Sequence, residues 1–593
     1  MSAYPLKTRL FAGCLLSAFL TLSNGSRAQQ LSPQAYAAYQ AGVAALAGND
    51  FNSALAEFEK VVRLAPSLEQ GHSALGTVLV RIGRTNDGIR ELQKALAMKA
   101  SDGSAQLSLA LAYEHGGQFA RALPLFAKLE AASRTEKHPL PSTVVAAYAR
   151  SLAATGQSSA AVGKMKEAVA EDPHNAELQD DLGSLYAEHA DWPNATQAFT
   201  AALQTNPNLA SAHLHLGMTL RAQQQPGALE EFTRAYQLAP GNAEAALQLG
   251  QALASTGNDE QAIPLLQHAV ELDRDSTPAA YQLGLALQRT GKIDDAIQLL
   301  QKAAQADAQN AEVLINLGLA LCQAQRAKDA VPVLQHAVSL APGNITAHQD
   351  LAAAYIQLSQ FDDAVSELRA ALQLSPNAAQ LHYNLGLAFK MQDDAADAIP
   401  ELAGAEKLDA SAPEPPYALG LLYLQAGRYA DAARELNISL KLQPENGEAW
   451  ATLGSVYNHL DKLPEAAEAL HEAIGRLPEQ PDPHLTLAAV LVKQNQPAEA
   501  SAERKTAAGL MRAHMNRQRA EVACNSGDSL LKSGKVEDAI AEFRNALSYD
   551  PDYAEAHRGL ANALQRQGNN IEAAAERQKA EALAKNPASQ DHR

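Results

Sequence analysis

The chain has 593 residues, a net charge of -18 and only 5% aromatic residues. Its acidic and basic residues are interspersed, without the basic stripe that a polyanion requires, so the composition argues against nucleic-acid binding. Alanine dominates the 47% hydrophobic fraction, which suits closely packed helices better than sheets.

The first 28 residues read as a secretory signal. Lys7 and Arg9 precede a mostly apolar run from Leu10 to Leu22, and Ser26-Arg27-Ala28 offers the small residues of a cleavage site. Cys14 sits early in that run and reads as an ordinary residue of the signal core rather than a lipidation site. The run is too short to span a bilayer in the mature chain. The expected location is therefore periplasmic or secreted, with retention through an uncleaved N-terminal segment as the alternative. Cys322 and Cys524 then remain, far apart in the sequence and poorly placed for a disulfide.

From residue 35 a period takes over. "NLGLA" occurs at Asn316–Ala320 and again at Asn384–Ala388, 68 residues apart, and "HQDLAAAY" stands halfway with Asp350 in the asparagine's place. The period is 34. Numbering a unit from Ala35, a small residue recurs at position 8, alanine at 20, a large apolar residue at 24, a small one at 27 and often proline at 32. Gly42, Ala54, Phe58, Val61 and Pro66 set the pattern; Gly183, Ala195, Phe199, Ala202 and Pro207 repeat it. At about 100° per residue, positions 4, 7, 8 and 11 share one face of a first helix, while 20, 24 and 27 share one face of a second. Small residues at 8 and 20 permit close approach, and proline at 32 ends the second helix.

These residues resemble the tetratricopeptide repeat, whose pattern the unit at Gly447 follows with Trp450, Leu453, Gly454, Tyr457, Ala466, Leu470, Ala473 and Pro478. The resemblance implies an all-α, right-handed superhelical solenoid of about sixteen helix-turn-helix repeats. Repeats 1–3 occupy 35–136 after a short linker at 29–34, and an insertion with two prolines follows at 137–141. Repeats 4–14 occupy 142–514, a linker or continuous helix 515–519, repeats 15–16 520–587, and a polar tail 588–593. Repeat 6 is one residue short, and repeat 14 carries Arg504 at the apolar position 24.

No constellation for catalysis emerges. "HEAIG" at His471–Gly475 lacks the second histidine of a zinc-peptidase motif. His213 and His215, two apart on a helix, point in nearly opposite directions and cannot share a metal. The scattered histidines read as ordinary surface residues. Arg504, Lys505, Arg512, Arg517 and Arg519 form the one basic cluster and read as a solvated helix face. Neither an enzyme, a metal centre nor a small-molecule cofactor is expected.

A binding surface is expected instead. Position 6 points away from the core, and in tetratricopeptide folds that face lines the inner groove. Here it reads Gln248, Gln282, Asn316, Asp350 and Asn384 in successive repeats. This ladder partly resembles the asparagine ladder of O-linked N-acetylglucosamine transferases, whose amides hold the backbone of an extended peptide. Amides donate and accept together, so they pair with a backbone whatever its side chains. Tyr281, Leu319, Tyr383, Leu387 and Tyr417 at positions 5 and 9 would supply apolar pockets. Acidic residues at position 2, among them Glu312, Glu414 and Glu448, replace the cations of a carboxylate clamp. The expectation is a non-enzymatic scaffold or adaptor for protein or peptide partners, the second reading being a subunit of an envelope polysaccharide or protein-secretion assembly at a membrane.

Overall fold

The computed structural model describes residues 32–584. The signal read at residues 1–28 and the tail at 588–593 lie outside the described residues. Among the described residues there are 31 helices, from Pro33–Ala47 to Asn570–Ala584, and one of them spans the place of two. That makes sixteen helix pairs in an all-α array. The chain forms two compact bodies, one ending at Asp307 and the other beginning at Ala308.

Within each body the same seam recurs. The position-24 side chains Phe58, Phe126, Phe199 and Phe232 in the first body are at most 1% exposed, as are Leu334, Leu402, Leu436, Leu470 and Phe543 in the second. Each such burial contributes about 1.5–3 kcal/mol. The facing position must be small: a Cβ added at Gly386 would lie 2.6 Å from Leu402 Cγ, and one at Gly183 would lie 2.5 Å from Phe199 Cε1. Consecutive repeats then stack, so stability is a sum of neighbour contacts.

A second device ties the repeats together, and it corrects the reading of the histidines as ordinary surface residues. His72, His213, His348, His382 and His557, all at position 4, donate Nε2–H to the carbonyls of Pro66, Pro207, Pro342, Pro376 and Pro551 in the preceding turn. Trp450 does the same with its indole N–H to Pro444 at 2.9 Å, and Gln179 with its amide to Pro173 at 2.7 Å. A donor at position 4 therefore satisfies a carbonyl left over where the previous helix has ended. Those five histidines, with His484, also meet a glutamate through Nδ1, at position 23 in Glu91, Glu367, Glu401, Glu576 and Glu503 and at position 22 in Glu231 of the short repeat 6. Proline at 32 thus stops one helix and offers its carbonyl to the next repeat.

The irregular repeats have local causes. In repeat 6 the second helix is cut to Ala228–Leu238 and entered through Gly227 at φ 101°, a conformation open to glycine. In repeat 3 the second helix runs on to Glu136 and ends at Lys137 in the left-handed region, before Pro139 and Pro141. Between repeats 14 and 15 there is no turn, and a single helix extends over Pro497–Lys532. No glycine or proline lies between Leu510 and Asn525 to break it, and Arg512 stands where other repeats carry the helix-ending proline.

Candidate functional site

The first-helix face differs between the two bodies. In repeats 3–6 of the first body it is closed by side-chain pairs that link repeat to repeat. Arg150 bridges Glu114 at 2.9 Å and Asp181 at 3.0 Å, and His215 bonds Asp180 at 2.8 Å. These groups are largely withdrawn from water: side-chain exposure is 27% for Arg150, 12% for Glu114, 14% for Asp181 and 9% for Asp180. Burial pushes the Asp181 carboxyl up despite Arg150. For His215, burial works against the charged ring, but Asp180, Asp181 and Glu244 together outweigh it and the net shift is upward. Burial likewise opposes the Arg150 charge, and its two carboxylates more than restore it.

Gln248 belongs to this closed face. It is 6% exposed, and its amide N–H donates to Glu244 Oε1 at 2.6 Å, one turn back on the same helix. Its side-chain oxygen is buried without a hydrogen-bond partner. An inward rung is thereby spent on the protein itself, whereas the sequence reading aims it at a peptide. Gln282 and Tyr281, further along the same body, are half-buried.

In the second body the face is more open. Asn316 and Asn384 are half-buried; the Asn316 amide donates to the Glu312 carbonyl at 2.9 Å, and Asn384 Oδ1 accepts from Gln380 at 2.9 Å. Both contacts lie within their own helix, one turn away, and leave each amide at the surface. Leu319, Tyr383, Leu387 and Tyr417 are half-buried beside them. Burial, and then Glu414, push the Tyr383 hydroxyl up; Tyr417 shifts the same way through burial and Glu448. Ile315, in contrast, is buried and Ala418 closes the ladder.

Asp350 sits in this face between the two asparagine repeats. Its Oδ2 is buried without a partner, and burial pushes its carboxyl up to about 6. Cys322, one repeat earlier, is buried, and burial together with Asp350 raises its thiol to about 11. A thiol held protonated in this way is a poor nucleophile. The face therefore offers amides, phenols, aliphatic surface and one buried carboxyl.

Two features escaped the sequence reading. The Glu114–Arg150–Asp181 and Asp180–His215 pairs join positions 12, 9, 6 and 5 of successive repeats, a relation visible only once repeats are stacked. The histidine staple had a readable signal, because a histidine at position 4 accompanies a glutamate at position 23 in five repeats and at position 22 in the shortened repeat 6.

Family comparison matches the description "tetratricopeptide repeat" at residues 73–137, 147–210, 220–288, 281–345 and 417–481, and "TPR repeat" at 352–393 and 527–568. No curated protein gives a significant match. Solved structures with similar local architecture include YrrB, described as a TPR protein with an unusual peptide-binding site. It is 24% identical, covers 34% of this chain and 99% of its own, and has a TM-score of 0.29. MamA from Desulfovibrio magneticus RS-1 is 24% identical over 28% of this chain and 96% of its own, with a TM-score of 0.28. Cut9–Hcn1 of the APC/C is 15% identical over 86% of this chain and 98% of its own, with a TM-score of 0.34. The 34-residue period, the glycine-to-position-24 seam and these matched segments agree, and the chain belongs to the tetratricopeptide-repeat family.

Proposed function

We propose that the chain is an exported, non-enzymatic scaffold that binds extended segments of partner proteins along the first-helix face of its second body. The observation that carries this reading is the contrast at position 6. Within the ladder Gln248 is buried and Asp181 is ion-paired, whereas Gln282 is half-buried and Asn316 and Asn384 keep surface amides, the latter two beside Tyr383, Leu387 and Tyr417 in the second body. Amides at this spacing hold a backbone, and the half-buried aliphatic and phenolic surfaces receive alternate side chains.

Photo-crosslinking in intact cells from a reactive residue at Asn384 tests the proposal. Recovery of protein segments, with a yield that falls when Asn316 is changed to Ala, supports it. Recovery of none sinks it. Many unrelated segments would mark a general adaptor, and one stoichiometric envelope protein would mark a subunit of a fixed assembly.

A further inference from the structure

The helix Pro497–Lys532 is 36 residues long where its neighbours have 13 and 14. Its two ends serve different repeats. Ala500 and Ala507 are buried on the N-terminal half, while Ala520, Ala523, Cys524, Gly527 and Leu531 are buried on the C-terminal half. At about 100° per residue these two buried strips lie on roughly opposite sides of the helix. Between Ala507 and Ala520 no residue is buried, so three turns of helix cross from one packed stack to the next without cover.

The uncovered face has a definite chemistry. Arg504, Lys505, Met511, Arg512, Met515 and Arg519 fall within about 120° of the circumference, and all six are exposed. Met511 is 45% exposed and Met515 46%, and Val522, which extends the same stripe, is 71% exposed. No acidic residue lies between Arg504 and Ala520, in a chain whose net charge is -18. Arg517 points elsewhere: it pairs with Asp550 at 2.5 Å and lies over the Tyr553 ring. Arg519 lies over the Tyr549 ring, whereas Arg504, Lys505 and Arg512 have no ion-pair partner among the described residues.

We propose that this face docks an acidic amphipathic helix of a partner protein. A bare helix between two packed stacks presents the ridges and grooves that another helix fills. Arginine forks carboxylates, and methionine adapts to an apolar stripe of unspecified shape. Charge complementarity selects the acidic partner. A membrane plane fits less well, because the strongly acidic chain around the helix would meet anionic lipid. A nucleic acid would want aromatic residues among the cations, and the stripe has none.

The test uses the full mature chain and a synthetic helical peptide of about eighteen residues, roughly the length of the face, with glutamate on one side and leucine on the other. Binding is followed by fluorescence anisotropy at low and high salt. Saturable binding that weakens about tenfold or more in R504E/R512E, and also weakens in M511S/M515S, is expected. Circular dichroism of both variants checks that the fold is kept, and K505E serves as a milder variant should either lose it. No binding of the acidic peptide overturns the proposal, as does binding indifferent to the charge reversal. Tighter binding to phosphatidylglycerol vesicles or to a single-stranded oligonucleotide overturns it equally, as does equal binding of the lysine counterpart of the peptide.

Discussion

Glu401 meets Nδ1 of His382 at 2.6 Å, while the opposite ring nitrogen donates to the Pro376 carbonyl at 3.0 Å. A carbonyl only accepts, and so does an ionised carboxylate, so the ring satisfies both partners only as imidazolium. Burial disfavours that charge, but Glu401 and Pro376 prevail and the His382 pKa is raised. The stabilisation is therefore complete below the unfolded value of about 6.5 and is lost as pH rises through the folded one. Trp450 shows how the carbonyl contact survives without a titrating group. Amide exchange of the helices Ala379–Met391 and Ala395–Leu408 should become less protected with rising pH in the wild type, relative to His382→Trp measured at the same pH. Identical pH profiles would contradict the staple.

The glycine of "NLGLA" is a packing residue. In Gly386→Ala the new methyl would stand 2.6 Å from Leu402 Cγ and 3.3 Å from the Ala398 carbonyl. Overpacking of this kind costs about 1–3 kcal/mol. Because stacked repeats are coupled mainly to neighbours, the loss should appear as reduced exchange protection in repeats 10–12 before it appears as a global shift in melting. A wild-type exchange pattern would mean that Leu402 moves aside without cost.

The geometry of this seam was legible in the sequence because it repeats. The close approach of Gly386 to Ala398 could be read from the 34-residue period, whereas the packing of Leu402 against the same glycine needed the structure. Likewise the one-residue shortening of repeat 6 was readable from Ala228 and Phe232 arriving early, but not the shorter second helix entered through Gly227. The site was less legible. Gln248 and Asn316 both stand at position 6, yet one is buried and the other reaches the surface, because burial there depends on the neighbouring repeat and the period does not encode it. Arg150 and Asp181 were likewise readable as residues but not as partners.

Removing Arg150 should expose how far the first body depends on its ion pairs. Arg150→Met leaves Glu114 and Asp181 facing a methionine, both mostly withdrawn from water. Losing one member of a buried pair costs about 3–5 kcal/mol, and the partial exposure of Arg150 brings the expectation down to about 2 kcal/mol. Thermal melting should fall, and adding Asp181→Asn should recover part of the loss. A double variant less stable than the single one would contradict this.

Asp350 predicts a change of the opposite sign. Its carboxyl is raised to about 6 by burial, so the native state holds its proton more firmly than the unfolded chain does. Stability then declines as pH rises from about 4 to 6 and stays lowered above that range. Asp350→Asn should raise the melting temperature at about pH 8 and leave it nearly unchanged at about pH 4. Equal effects at both values would show that the side chain's hydrogen bonds, and not its charge, matter there.

The central claim is that the partner-binding face belongs to the second body. It is tested most directly by placing the same photo-reactive residue at Asn384 in one full-length variant and at Gln248 in another, then comparing captured protein in intact cells. The account predicts capture from position 384 and little or none from position 248. Equal capture from both positions, or capture from 248 alone, would contradict it.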